Sequence, residues 1–215
     1  MKKTIGKILA LMMCLIMAGA LSACGSKDKV YKVSTEPTYP PFDTTNKDGD
    51  IVGFDMDLMK AIAKDQGFKV EFESLEFDAL IPALKSDSTD IVIAGMNVTP
   101  ERAKKVAFSD PYYKTGIVVL VKKDNTTISG WDSFTSGSGL KVAVQTGTSQ
   151  ADIAEQLKKE GKISKVTILN QNTTALQQLE NGDVDAVLVD KPVAVDIVAS
   201  KGEKYKVVGD MKADS

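Results

Sequence analysis

Short apolar runs, broken by polar and turn-forming stretches, set the rhythm of this 215-residue chain. The clearest run is Ile91-Val92-Ile93-Ala94, which predicts, with Asp90, a buried strand over 90–94. Gly95 ends it. Thr99 is then placed to cap a helix, with Pro100 in its first position and Glu101 and Arg102 in its first turn. Upstream, 30–35 alternates as a strand, and 36–42 carries three prolines and cannot be helical. Asn46 to Asp50 is turn chemistry before a short strand over 51–54, which predicts a hairpin. Asp55 is read as the cap of a helix to Gln66, with Met59, Ile62 and Ala63 on its apolar face and Gly67 as its stop. A strand over 69–74 and a helix over 77–85 follow.

Downstream, strands are predicted over 116–122, 141–144, 165–169, 186–190 and 205–208. Helices are predicted from Ser149 to 159, over 173–180 and over 192–199, with Ser149 and Asp152 as a capping box. The lone Trp131 sits in a Gly/Ser-rich stretch over 124–139. Strands alternate with helices almost throughout, which predicts an α/β fold with parallel sheets.

The N-terminus reads differently. Lys2, Lys3 and Lys7 precede an apolar run from Ile8 to Ala20, then Leu21-Ser22-Ala23-Cys24. A basic start, a short apolar stretch and small residues before a cleavage point form a secretory leader over 1–23. The run falls short of the roughly 20 residues that span a bilayer. The tetrad resembles a bacterial lipoprotein box, in which the cysteine becomes the lipidated first residue; the alternative is a plain leader with an incidental cysteine. Residues 24–29 read as a polar tether.

Composition narrows the chemistry. Cys14 falls within the leader, so Cys24 alone remains, and no disulfide framework is available. The absence of histidine excludes histidine-based triads and histidine or cysteine zinc sites. No metal or other cofactor is expected. Removing the three leader lysines from 27 basic residues leaves 24 against 29 acidic ones, a net charge of −5. That balance is no nucleic-acid footprint. The sequons at Asn97, Asn125 and Asn172 carry little weight beside a bacterial leader.

In open α/β sheets ligands sit beyond the carboxyl ends of strands. Four groups fall there. Gly95, Asn97 and Arg102 form a corner where a helix start and a guanidinium suit a carboxylate, unless the arginine simply lies on the surface. The turn from Gln145 to Ser149, including Thr148, either cradles an anion or is structural. Asp190 ends a buried strand and either holds an ammonium or caps the helix after it. Glu36 and Tyr39 follow the first strand; an acid beside an aromatic ring suits a cationic or amide side chain, while each alone also reads as solvated charge or core.

Several spaced motifs then carry a resemblance: Val52 through Leu58, Phe77 through Leu84, Ala94 through Arg102, Phe108-Ser109-Asp110-Pro111-Tyr112-Tyr113, and Ala186 through Asp190. Together they resemble the extracellular solute-binding proteins (family 3) of polar amino acid ABC transporters, over nearly all of the chain after the leader. The resemblance implies a periplasmic-binding-protein-like type 2 fold: α/β lobes over 30–112 and 113–212, with crossing strands at about 112–116 and 210–215. It implies a non-enzymatic, monomeric receptor that binds a free amino acid, partners an ABC permease and is held at the membrane through Cys24.

Carried over by residue, Arg102 would clamp the α-carboxylate with the backbone of Asn97, Thr148 and Ser149. Asp190 and the Gly95 carbonyl would take the α-ammonium. Tyr39 and Phe77 would flank the side chain, and Glu36 and Gln145 would meet its tip. An acidic tip favours arginine or lysine, with glutamine the nearest rival. Gly95 and Asn97 stand where relatives commonly carry hydroxyls, which puts any hydroxyl contact there in doubt. Relatives also return to lobe one after the second crossing, whereas this sequence stops at Ser215, so the C-terminal part of lobe one is expected to be missing and stability lowered. Two rival classes stay open: a fold-related dehydratase using Glu36 as base, and a sensory domain.

Overall fold

The computed structural model describes residues 29–136 and 139–210. The leader, Cys24, the tether before residue 29 and the segment after 210 lie outside the described residues.

The first half opens with β1 (Val30–Thr35), then three short strands, β2 (Thr38–Tyr39), β3 (Asp43–Thr45) and β4 (Ile51–Val52). Helix α1 (Phe54–Gln66), β5 (Lys69–Ser74), a 3-10 turn over Phe77–Ala79 that runs into α2 (Leu80–Lys85), β6 (Ile91–Val92) and α3 (Pro100–Ala103) complete it. β5, β1 and β6 form a parallel sheet in that order, with β1 central. β2, β3 and β4 make a small antiparallel sheet, which includes the expected hairpin. Val33, Met56, Met59 and Ile93 form the core between sheet and helix.

The second half contains β7 (Ile117–Lys122), α4 (Trp131–Phe134), β8 (Lys141–Gln145), α5 (Ser149–Lys159), β9 (Lys165–Leu169), α6 (Asn172–Asn181), β10 (Ala186–Asp190), α7 (Lys191–Lys201) and β11 (Tyr205–Asp210). Its sheet runs β11-β7-β10-β8-β9. Helices cover both faces, so alternate residues of one strand enter different cores: Val119 and Val121 pack on one side, Val118 and Leu120 on the other. This is why β7 reads as an unbroken apolar run. Trp131 packs against Phe134 at 5.4 Å, beside the first of these cores.

Four expectations need correction. The second sheet is mixed, because β7 runs antiparallel to both β10 and β11. An extended segment leads into β7 from the other half, so no helical crossover fixes its direction. The strand expected over 90–94 pairs only at Ile91 and Val92. Asp55 does not cap α1. Gly53 stands at the cap, at a φ of 134° and so close to the chain that a Cβ there would lie 2.2 Å from the Phe42 carbonyl oxygen. Asp55 and Met56 are buried instead, while Ile62 is 41% exposed. Finally, α5 is capped by Thr148, whose hydroxyl accepts the Ala151 N–H at 3.2 Å, and not by Ser149.

One buried acid gives the fold a pH dependence. Asp43, in β3, has no exposed surface and accepts a hydrogen bond from the Thr35 hydroxyl. Burial, with Asp55 and Glu36 nearby, pushes its carboxyl up to about 8. An unfolded aspartate titrates near ~3.9. Between these values the folded chain holds a proton that the unfolded chain has released, so this contribution to stability is complete below about pH 4 and is lost as pH rises through 8. Asp43→Asn is therefore expected to flatten the fall in urea midpoint between pH 5.5 and 8.5; an unchanged slope would refute this.

Candidate ligand-binding cleft

The two halves meet at the carboxyl ends of β1, β6, β8 and β10. Glu36 follows β1, and Tyr39 lies in β2. Gly95 and Asn97 follow β6, while Gln145 and Asp190 end β8 and β10. These six, with Phe77 and Thr148, line one cavity of about 430 Å³ including its mouth.

The corner after β6 is built as expected. The Thr99 hydroxyl accepts the Arg102 N–H at 3.2 Å, and Pro100 opens the helix. Arg102 is not a surface residue, being only 8% exposed. Its guanidinium donates to the Asn97 carbonyl at 2.7 Å, to the Asn97 side chain, and across the cleft to the Gly147 carbonyl at 2.9 Å. It also lies 5.4 Å from the Phe77 ring centre. Burial lowers its affinity for a proton, which Asp152 and Asp190 partly restore.

Asp190 stands at the N-terminus of α7, yet its side chain caps nothing. One oxygen accepts the Tyr39 hydroxyl at 2.7 Å, from the other half, and the Gln150 amide at 2.8 Å. Burial pushes this carboxyl upward, against the pull of Tyr39, Gln150 and Arg102. Glu36 is 3% exposed. It accepts the Thr38 hydroxyl on both oxygens and the Gln145 amide at 3.0 Å, again across the cleft. Burial pushes its carboxyl up as well, with a smaller push from Glu76. Ser149 lies beside the cavity and accepts the Asn97 amide at 3.2 Å.

Eight of the residues singled out from the described sequence line this cavity; Arg102 and Ser149 do not, Arg102 lining a neighbouring hollow with Phe77 and Gly147. Three further residues join them. Gln150 is buried and holds Asp190. Asn172, noted only as a sequon, donates to the side-chain amide oxygen of Gln145 at 3.0 Å. Asp55 accepts the Gly95 N–H at 2.9 Å and the Tyr112 hydroxyl at 3.0 Å. Glu36, Arg102 and Asp190 each already hold a partner across the cleft, so a ligand reaching them exchanges existing bonds.

Two α/β halves with an arginine on one wall and an aspartate on the other define a two-lobed ligand-binding protein. The chain belongs to the bacterial extracellular solute-binding proteins, family 3, which match residues 31–181. It is 36% identical to the arginine-binding extracellular protein ArtP of Bacillus subtilis (strain 168), over 97% of this chain and 82% of that protein. An ancestral arginine-binding protein bound to arginine shares 42% identity at a TM-score of 0.79, covering 85% of this chain and 79% of the other. A structure of such an ancestral protein bound to glutamine matches at the same identity and coverage, with a TM-score of 0.77. The fold is of the periplasmic-binding-protein type 2, and the family is one of binding proteins rather than enzymes.

Gly95 has a φ of 55°, and a Cβ there would lie 2.7 Å from Tyr39 Cε1. Gly95→Ala is expected to cost about 1–2 kcal/mol from backbone strain alone. It should also push the Tyr39 ring off Asp190. A urea melt checks the cost, and a wild-type midpoint would contradict it.

Proposed function

We propose that the cleft binds a free amino acid with a cationic side chain, arginine or lysine, outside the cytoplasmic membrane for delivery to an ABC importer. The observation that carries this reading is the placement of charge. Asp190 and a second buried acid, Glu36, line the cavity beside Tyr39 and Gln145, while the buried Arg102 stands just outside it on the first half and reaches Gly147 of the second, which suits the two ends of a zwitterion. Arg102 would take the α-carboxylate, helped by the backbone of Asn97, Thr148 and Ser149. Asp190 and the Gly95 carbonyl would take the α-ammonium. Tyr39 and Phe77 would flank the ligand side chain, and Glu36 and Gln145 would meet its end. Each ligand charge then meets an opposite one, which is the condition for burying it.

Lobes over 30–112 and 113–212 would swing about the crossing near 112–116, since a ligand touching both walls favours the state in which both are in reach. The box ending in Cys24 supports a lipid anchor at the outer face of the membrane, and the receptor is read as a monomer. Among the described residues no helix is long and apolar enough to cross a membrane.

The arginine-binding relatives support this class of ligand, one other relative is named for L-cystine, and the glutamine complex keeps glutamine as the second reading. A thermal-shift panel of the twenty amino acids tests both. The melting temperature should rise most with arginine or lysine, whereas a rise with glutamine alone would favour the second reading. Arg102→Ala is expected to cost roughly 3–5 kcal/mol of binding, as for one member of a buried ion pair. Near-normal affinity by calorimetry would remove the arginine from its proposed role.

A further inference from the structure

Glu36 is shared by two hollows. It lines the main cavity, and it also walls a second hollow whose polar side is made by Thr38, Thr45, Ser74, Glu76 and Gln171 and whose apolar side is made by Pro37 and Leu75. Consecutive residues divide between them: Phe77 lines the main cavity and Glu76 the second hollow. The extended backbone at Glu76, with φ −64° and ψ 146°, turns the two side chains apart just before the 3-10 turn.

Glu76 differs from Glu36 and Asp190. Glu36 receives donors from Thr38 and Gln145, and Asp190 from Tyr39 and Gln150. Among the described residues Glu76 Oε2, like one oxygen each of Asp43 and Asp55, is buried without a hydrogen-bond partner, and of these three acids Glu76 alone shares a hollow with Glu36. A buried acceptor left without a donor is costly, the more so when it carries charge. Glu76 also raises the cost of charge on Glu36. A donor-rich cation between them would relieve both penalties.

We propose that Glu76 is a specificity-determining residue, forming with Glu36 a two-carboxylate end to the site that selects a guanidinium side chain over a neutral amide. The proposal rests on the reading of the cleft as an amino-acid site. A guanidinium carries five N–H donors in a plane and no acceptor, so separate edges can address two acids. An ammonium has three donors on one atom. A glutamine amide has two N–H donors and a carbonyl oxygen, and against two carboxylates it leaves negative charge uncompensated and turns one lone pair toward an acid.

Titration calorimetry of the chain with L-arginine, L-lysine and L-glutamine tests this, on the wild type and on Glu76→Gln. The glutamine variant is nearly isosteric, removes the charge and keeps an acceptor. Arginine affinity should fall roughly 10- to 100-fold, the worth of a charged hydrogen bond, while glutamine affinity holds within about twofold. The arginine-to-glutamine preference therefore shrinks. Glu76→Ala gives a second reading of the same ratio, and a thermal melt of each variant establishes that it is folded. Wild-type binding of arginine with an unchanged preference in both variants would overturn the role of Glu76 and leave the amino-acid reading standing. Wild-type binding of none of the three would overturn both.

Discussion

Buried charge is the constraint on which this structure turns. Arg102 is nearly enclosed, and a guanidinium in that position is tolerable only with acceptors around it. The chain provides them from two distant places, Asn97 beside it and Gly147 on the opposite wall. Asp190 answers from the other half, with Tyr39 and Gln150 as donors. Neither wall is complete alone. The need to pair these groups draws the two sheets face to face, and it also leaves a set of polar groups that a charged ligand can address.

The scaffold serves that need through the position of its strand ends. β8 and β10 run parallel, so Gln145 and Asp190 emerge on the same side of the second sheet. β1 and β6 do the same in the first sheet for Glu36 and Gly95. Cores on both faces of the second sheet fix these ends, and Thr148 starts α5 where its turn faces Arg102. Placing polar groups at the ends of rigid strands limits the conformational entropy lost when they grip a ligand.

Much of this was legible in the sequence, for physical reasons that differ by element. Apolar runs such as Ile117–Lys122 and Ala186–Asp190 announce buried strands because no solvent-facing side would tolerate them. The Thr99-Pro100 start of α3 is visible because capping chemistry is local. The direction of β7 was not visible, since strand orientation depends on where the chain enters the sheet. The role of Asp55 was hidden for the same kind of reason. A carboxylate before an amphipathic stretch reads as a cap, and only the fold brings Gly95 and Tyr112 to it from 40 and 57 residues away. Gln150 and Asn172 look like ordinary first-turn polar residues until the fold buries them against Asp190 and Gln145.

The bond between Tyr39 and Asp190 joins residues 151 positions apart. Most pairings within each sheet close shorter loops, so each half can gather its own strands first, and the bridge between them is among the last contacts to repay its loop-closure entropy. If that contact forms after the transition state, a change at either residue would be felt in how fast the native chain comes apart, while the rate at which it folds would stay nearly the same.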